Sequence, residues 1–262
     1  MARNQKAGKQ GGDALIVYGV HPVEEYLTLA PKKVERVWVT DINAPTLERV
    51  KVLVERHGVE VRKVDSRRLS ELAQGGNHQQ VLLEGAPYAY VEVEDIIAAA
   101  GEGARVLLLD QVQDVGNLGA ILRSAAAFGV DGVVIPRDRA AAVTGAVVRA
   151  SAGQALRVRV AQEGNLVRVI EQLKAAGFWV YATQSEGAGG REQALWDVDW
   201  SGRVGLVMGG EHKGVRRLVA ERCDGLVRIA MAQGVESLNV SSAASVALYE
   251  IFRQRECGGA KR

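Results

Sequence analysis

"RVLLLDQVQDVGNLGAILRSAAAFGVDGVVIP", residues 105–136, decides the fold class. Two apolar runs, "VLLL" and "VVI", flank a stretch, "NLGAILRSAAAFG", that reads as a helix. The apolar runs are continuous rather than alternating, which marks strands covered on both faces and therefore a mostly parallel sheet. A strand, a crossover helix and a second strand form the unit from which α/β domains are built. The pattern repeats downstream. "TGAVVRASAGQA" reads as a helix, "LRVRV" as a strand, "NLVRVIEQLKAAG" as a helix, "FWVYAT" and "RVGLVMG" as strands. "VRRLVAERC" then reads as a helix, "GLVRIAM" as a strand, and a last helix starts at about Val240.

Upstream, "LIVYGV", "HPVEEYLTLA", "VERVWVT", "PTLERVKVLVERHG", "VEVRKV", "SRRLSELAQ" and "QQVLLEGA" alternate between β and α character. Gly58 sits where the second of these helices should stop. A small α/β domain over 15–88 follows. "PYAYVEVEDIIAAAGEGA" is acidic and rich in Ala and Gly and reads as a connector with one short helix, so a linker is placed at 89–103 and the larger domain at 104–262. The first 14 residues read as a basic, Gly-rich disordered arm, with Arg3, Lys6 and Lys9 against Asp13; a solvated tail and a loose phosphate contact both suit it.

A chain of 262 residues, 47% hydrophobic and 24% charged, has room for one large or two modest globular domains. The net charge of +2 neither demands nor excludes a nucleic-acid partner, because clustering of basic residues matters more than their sum. Two cysteines, Cys223 and Cys257, with no CxxC or HExxH spacing, speak against a disulfide scaffold or a metal centre and for a reducing, cytoplasmic home. No apolar run reaches the roughly 18 residues of a membrane span, and the start carries no secretory signal.

Ligands of open α/β sheets sit beyond the carboxyl ends of the strands, and three such ends carry unusual residues. After Asp110 the loop "QVQDVGNLG" brings Asn117 to a helix start, with Arg123 about one and two-thirds turns further on. The loop lacks G-x-G-x-x-G spacing, which disfavours a nicotinamide site. After "VGLVM" come Gly209, Gly210 and Glu211, then Gly214 and a basic helix with Arg216 and Arg217. After "VRIAM" the loop "AQGVESLNVS" offers Ser237 and Asn239, more polar groups than one helix cap requires. A capped structural loop and a polar rim around a ligand both remain open on these grounds.

Taken in order, "DVGNLGAILRSAAAFG", "LVMGGEHKGV" and "RIAMAQGVESLNVSSAASVALYE" resemble the three signature motifs of the SpoU (TrmH-like) RNA ribose 2′-O-methyltransferases of the SPOUT superfamily. "YGVHPVEEYL" resembles the start of the small RNA-binding domain, similar to ribosomal-protein L30-type folds, of the large-subunit rRNA guanosine branch. The resemblance implies a C-terminal α/β knot, a deep trefoil with a mostly parallel sheet, where S-adenosylmethionine binds. It also implies a homodimer packed through that domain, an RNA substrate, most readily rRNA, and no metal.

Residue by residue, the resemblance assigns Asn117, Arg123, Glu211, Ser237 and Asn239 to catalysis, and the backbone around Gly209, Ile229 and Leu238 to the cofactor. Two departures stand out: Val115 occupies the position of a usual motif proline, and "NHQQV" replaces a glycine after the glutamine. A tRNA ribose methyltransferase and a non-catalytic ribosome-assembly protein are the alternative functions. The second predicts decay at Asn117, Arg123, Glu211 or Asn239, and none has occurred.

Overall fold

The computed structural model describes residues 14–184, 192–210, 214–235 and 237–256, which form two compact units. The basic arm and Cys257 lie outside the described residues. The first unit contains the described residues up to Ala89 together with Thr144–Arg149. Its elements are β1 (Leu15–Tyr18), α1 (Val20–Leu29), β2 (Val34–Val39), α2 (Glu48–His57), β3 (Val61–Lys63), α3 (Ser66–Leu72) and β4 (Val81–Gly85).

The sheet order is β1-β4-β2-β3. β2 and β3 are parallel and joined through α2, while β4 runs antiparallel to β1 and β2. Local chemistry sets the ends of these elements. Gly58, at φ 64°, stops α2 in the left-handed conformation that a residue with a Cβ resists, and the Asp65 carboxylate accepts from Arg68 N to start α3. Val17, Val23, Leu27, Val37 and Leu83 are fully buried and form the centre of this unit.

The chain continues with α4 (Val93–Ala98), β5 (Arg105–Asp110), α5 (Val115–Ala127), β6 (Gly132–Pro136), α6 (Gly145–Ala150), β7 (Val160–Glu163) and α7 (Leu166–Ala175), all of the second unit except α6, which up to Arg149 falls in the first. It continues with β8 (Trp179–Thr183), β9 (Gln193–Ala194), β10 (Val204–Gly209), α8 (Arg217–Ala220), β11 (Gly225–Arg228) and α9 (Val240–Glu256). The seven strands are ordered β7-β6-β5-β10-β8-β11-β9, and every pairing is parallel.

All six residues of β5 are buried, as its apolar run requires. Val106 and Leu108 join a core with Val93 and Ile96 of α4 and Val169, Ile170 and Leu173 of α7. Leu107 and Leu109 alternate to the other face and are equally buried.

Several elements differ from their sequence-based placement. The connector helix is α4, and Val93 and Ile96 belong to the core of the second unit. The strand expected at "LRVRV" begins only at Val160, because a short 3-10 turn, entered through Gly153 at φ 84°, takes up Gln154–Leu156. β11 stops at Arg228, so Ile229 to Met231 lie in the loop. Burial beside Asp224 pushes the Cys223 thiol up to about 12, which keeps it protonated and inert.

Candidate active site at the switch point of the parallel sheet

From β5 the chain passes to β6 and β7 on one side of the sheet, while β10, β8 and β11 lie on the other. The strand order therefore reverses between β5 and β10, and in open parallel sheets such a reversal opens a crevice at the carboxyl ends of the strands. The three loops singled out in the sequence follow β5, β10 and β11, and so all leave the sheet at that one edge.

The ends of β5 and β10 are held almost backbone to backbone. Gly209 pairs with Asp110, and Gly210 N donates to Asp110 O at 2.9 Å. A Cβ on Gly209 would stand 1.9 Å from the carbonyl carbon of Gly214, and one on Gly210 would stand 2.4 Å from Gln111 O. Gln111 itself adopts φ 64°, a conformation that non-glycine residues keep only where their surroundings impose it.

The fully buried Asp110 carboxylate locks the arrangement. It accepts from Arg216 N and from Arg216 Nε, both at 2.8 Å. This charge-assisted pair ties the β10–α8 loop to the end of β5. Sequence reading placed Asp110 only at a strand end and Arg216 only on a basic helix. Their separation of 106 residues hides the pairing from any local pattern.

At the first loop, Asp114 rather than Asn117 caps α5. Its carboxylate accepts from Asn117 N at 2.7 Å, which leaves the Asn117 side chain to serve elsewhere. Asn239 Nδ2 donates to Asn117 Oδ1 at 3.1 Å, joining the helix start after the first loop to the third loop. Asn239 Oδ1 accepts from Ser241 N at 2.9 Å and from the Ser241 hydroxyl at 2.6 Å, in the manner of a helix cap. Further along the contact between α5 and α9, Ser245 Oγ donates to Ser241 O at 2.9 Å and lies 2.7 Å from Ser124 Oγ. The serines of the third motif thus fix the register of α9 on α5, and with it the meeting of the two asparagines.

The other expected site residues differ in exposure. Arg123 is exposed on α5 and has no ion-pair partner among the described residues. Ser237 and Leu238 are exposed just before α9, and Ile229 is half-buried just after β11. Glu211 lies outside the described residues.

Two acceptors unforeseen from the sequence, Gln184 Oε1 at the end of β8 and Glu192 Oε1 beside β9, are buried without a hydrogen-bond partner among the described residues. Gln184 N donates to Val227 O, so this residue sits between the β10 and β11 ends. A buried orphan acceptor carries a desolvation cost that a bound donor group would remove.

Comparison with known proteins gives a consistent result. The SpoU rRNA Methylase family matches residues 104–249, and the RNA 2′-O ribose methyltransferase substrate-binding family matches residues 16–91. The chain is 45% identical over 214 residues to the 23S rRNA (guanosine-2′-O-)-methyltransferase RlmB of Xanthomonas axonopodis pv. citri, covering 80% of this chain and 84% of that one. It is 40% identical over 244 residues to the enzyme of the same name from Pseudomonas aeruginosa, covering 91% and 96%. Among solved structures, the AdoMet-bound rRNA methyltransferase from Sinorhizobium meliloti superposes with a TM-score of 0.77 at 27% identity, over 92% of this chain and 87% of that one.

Proposed function

The chain belongs to the SpoU rRNA Methylase family, and from that membership we propose that it transfers the methyl group of S-adenosylmethionine to a ribose 2′-hydroxyl of RNA. The substrate is a guanosine of large-subunit 23S rRNA, as the names of its relatives at 40–45% identity state for those proteins. The observation that carries the reading is the convergence of three polar loops at one carboxyl edge, with Asn117 and Asn239 joined across it. An RNA substrate places the protein in the cytoplasm, and among the described residues no helix is long and apolar enough to cross a membrane.

The residues present fit the donor. The orphan acceptors Gln184 Oε1 and Glu192 Oε1 suit amino or ammonium donors, and the glycine-lined turn at Gly209, the backbone at Ile229 and the apolar surface of Leu238 suit an adenosyl group. Bound there, S-adenosylmethionine supplies a sulfonium methyl carbon, an electrophile open to attack by oxygen.

The chain's own residues must make a poor nucleophile competent. Methylation would form the oxygen–carbon bond as the donor's carbon–sulfur bond breaks, the sulfur would leave as a neutral thioether, and the hydroxyl proton would pass to solvent water. A guanidinium is a poor base, so Arg123 acts by holding the adjoining phosphate and stabilising the negative charge that builds on the oxygen. Asn117 and Asn239, fixed by each other and by Ser241, orient the ribose. Ser237 organises the third loop and contacts substrate, and Glu211 orients an arginine or its own loop.

Calorimetric titration of the full chain with S-adenosylmethionine is expected to give one site per protomer. A folded protein that does not bind the cofactor would overturn the assignment.

Three further features belong to the same proposal. Residues 15–88 form the RNA-binding domain, an L30-like fold supported by their mixed four-stranded sheet. The C-terminal segment is threaded through a loop to make a deep trefoil knot. Close passage of Gly209 and Gly210 against Gly214 and Gln111 supports this reading, and an experimental chain trace without a crossing would refute it.

The methyltransferase domain also pairs into a homodimer. Val246 and Tyr249 leave 44% and 54% of their surface exposed, three residues apart on α9, whose Ala244, Ala247, Leu248 and Ile251 are buried. Light scattering should give twice 28.1 kDa for the wild type and a single protomer for Tyr249→Glu. A dimeric variant would move the interface elsewhere.

A further inference from the structure

In the first unit a cleft of about 670 Å³ opens at the carboxyl ends of the parallel pair β2 and β3, lined by Thr40, Lys63, Val64, Asp65, Ser66 and Gln80. Its floor is set by the turn into β4, where Gln79 and Gln80 adopt φ 48° and 66°. Two consecutive left-handed residues that carry a Cβ are unfavourable and persist only when something holds them. For Gln79 the reason is internal, because its Oε1 accepts from Val20 N at 3.0 Å.

Gln80 is held too, because its N donates to His78 Nδ1 at 3.1 Å and its O accepts from Thr40 N at 3.2 Å. Its exposed side chain accepts only the Thr40 hydroxyl, at 3.1 Å, which presents the amide group at the cleft. Where the resembled family has a glycine, this chain therefore carries a side chain whose oxygen is anchored on Thr40 and whose amino group is left to the cleft.

The other polar groups of the cleft are equally available. Lys63 and Ser66 are exposed, and their side chains have no partner among the described residues. Asp65 directs one carboxylate oxygen to its cap bond with Arg68 N. An ammonium, an amide, a hydroxyl and a carboxylate together are not a simple anion site. They offer donors and acceptors for a base edge with one cation for the phosphate beside it, which is how proteins read unstacked nucleotides of single-stranded RNA.

We propose that this cleft takes one unpaired nucleotide of the RNA substrate outside the methylation site, with Gln80 reading the base edge and Lys63 holding its phosphate. The inference rests on the assignment of the chain as an RNA methyltransferase and adds where and how the small domain selects its RNA.

The test uses the full chain with protein-free, unmethylated large-subunit rRNA as the probe, measuring filter binding, methyl incorporation and thermal stability. Gln80→Gly is expected to raise KM for rRNA about tenfold with kcat and S-adenosylmethionine affinity retained, and with a melting temperature no lower than that of the wild type. Lys63→Gln, at an exposed position, is expected to weaken binding and lower the salt dependence by the equivalent of about one phosphate contact. If both variants keep the wild-type KM and salt dependence while the wild type methylates rRNA, the cleft is overturned and the catalytic assignment stands. If the wild type neither binds nor methylates rRNA, both fall.

Discussion

Arg123→Ala is expected to slow methyl transfer about 10²- to 10³-fold, the usual cost of removing a donor that stabilises charge in the transition state, while S-adenosylmethionine binds as to the wild type. The separation of the two effects follows from the position of the residue. Arg123 is exposed on α5, forms no ion pair among the described residues and lies on no cofactor loop. Most other arginines with a defined role here are engaged with carboxylates, as Arg36 is with Glu84 and Arg216 with Asp110.

Alanine is the strongest helix former, so α5 should persist and the loss cannot be ascribed to unfolding. Arg123→Lys separates charge from shape. An ammonium keeps the charge but lacks the planar fork for a phosphate, so partial rescue marks charge stabilisation and failure to rescue marks bidentate anchoring. Single-turnover methylation with saturating cofactor reads the chemical step directly, and wild-type turnover in Arg123→Ala would remove the residue from the mechanism.

What the sequence disclosed about this site depended on the range of the interaction that makes it. Strands such as β5 and β10 were legible because burial on both faces demands uninterrupted apolar residues. Gly58 was legible as a helix end because a left-handed cap selects for glycine. The edge of the sheet that carries the site followed from the strand–loop–helix order.

The contacts that complete the site were not legible, because they join residues more than a hundred positions apart: Asp110 with Arg216, Asn117 with Asn239, and Ser124 with Ser245. The Asn117 assignment shows the difference clearly. An asparagine at a helix start reads as a cap, yet Asp114 takes that role three residues earlier and Asn117 is turned to another loop. Local preference identified where a cap was needed and tertiary pairing decided which residue provided it. Gln184 escaped notice because a glutamine after a strand carries no signal until its burial without a partner is known.

Gly209→Ala should produce the second large effect, and its origin is purely steric. The added carbon would lie 1.9 Å from Gly214 C, 2.2 Å from Val215 N and 2.3 Å from Gly214 O. All three are backbone atoms, so no side-chain rotation relieves the contact. The loop cannot simply retreat either, because Arg216 is bonded through both its backbone N and its guanidinium to the buried Asp110 carboxylate. Strain must therefore open the pairing of β10 with β5 or break the Asp110–Arg216 lock.

Overpacking of this kind costs about 1–3 kcal/mol in ordinary cores, and backbone against backbone places this position at the upper end. For a chain of this length each kcal/mol lowers the melting temperature by about 2–4 °C, so a fall of several degrees is expected in thermal unfolding. Because the displaced segment is the proposed cofactor wall, S-adenosylmethionine affinity should fall at least tenfold in the fraction that remains folded.

Gly205→Ala provides the comparison within the same strand. Its Cβ would meet Val180 methyl groups at 3.1 and 3.3 Å, contacts that small side-chain shifts can absorb, and β10 continues unchanged beyond it. A milder loss of stability with cofactor affinity retained is expected there. Equal affinity in the two variants would mean that the close passage at Gly209 serves only packing, and that the cofactor is held by another part of the sheet edge.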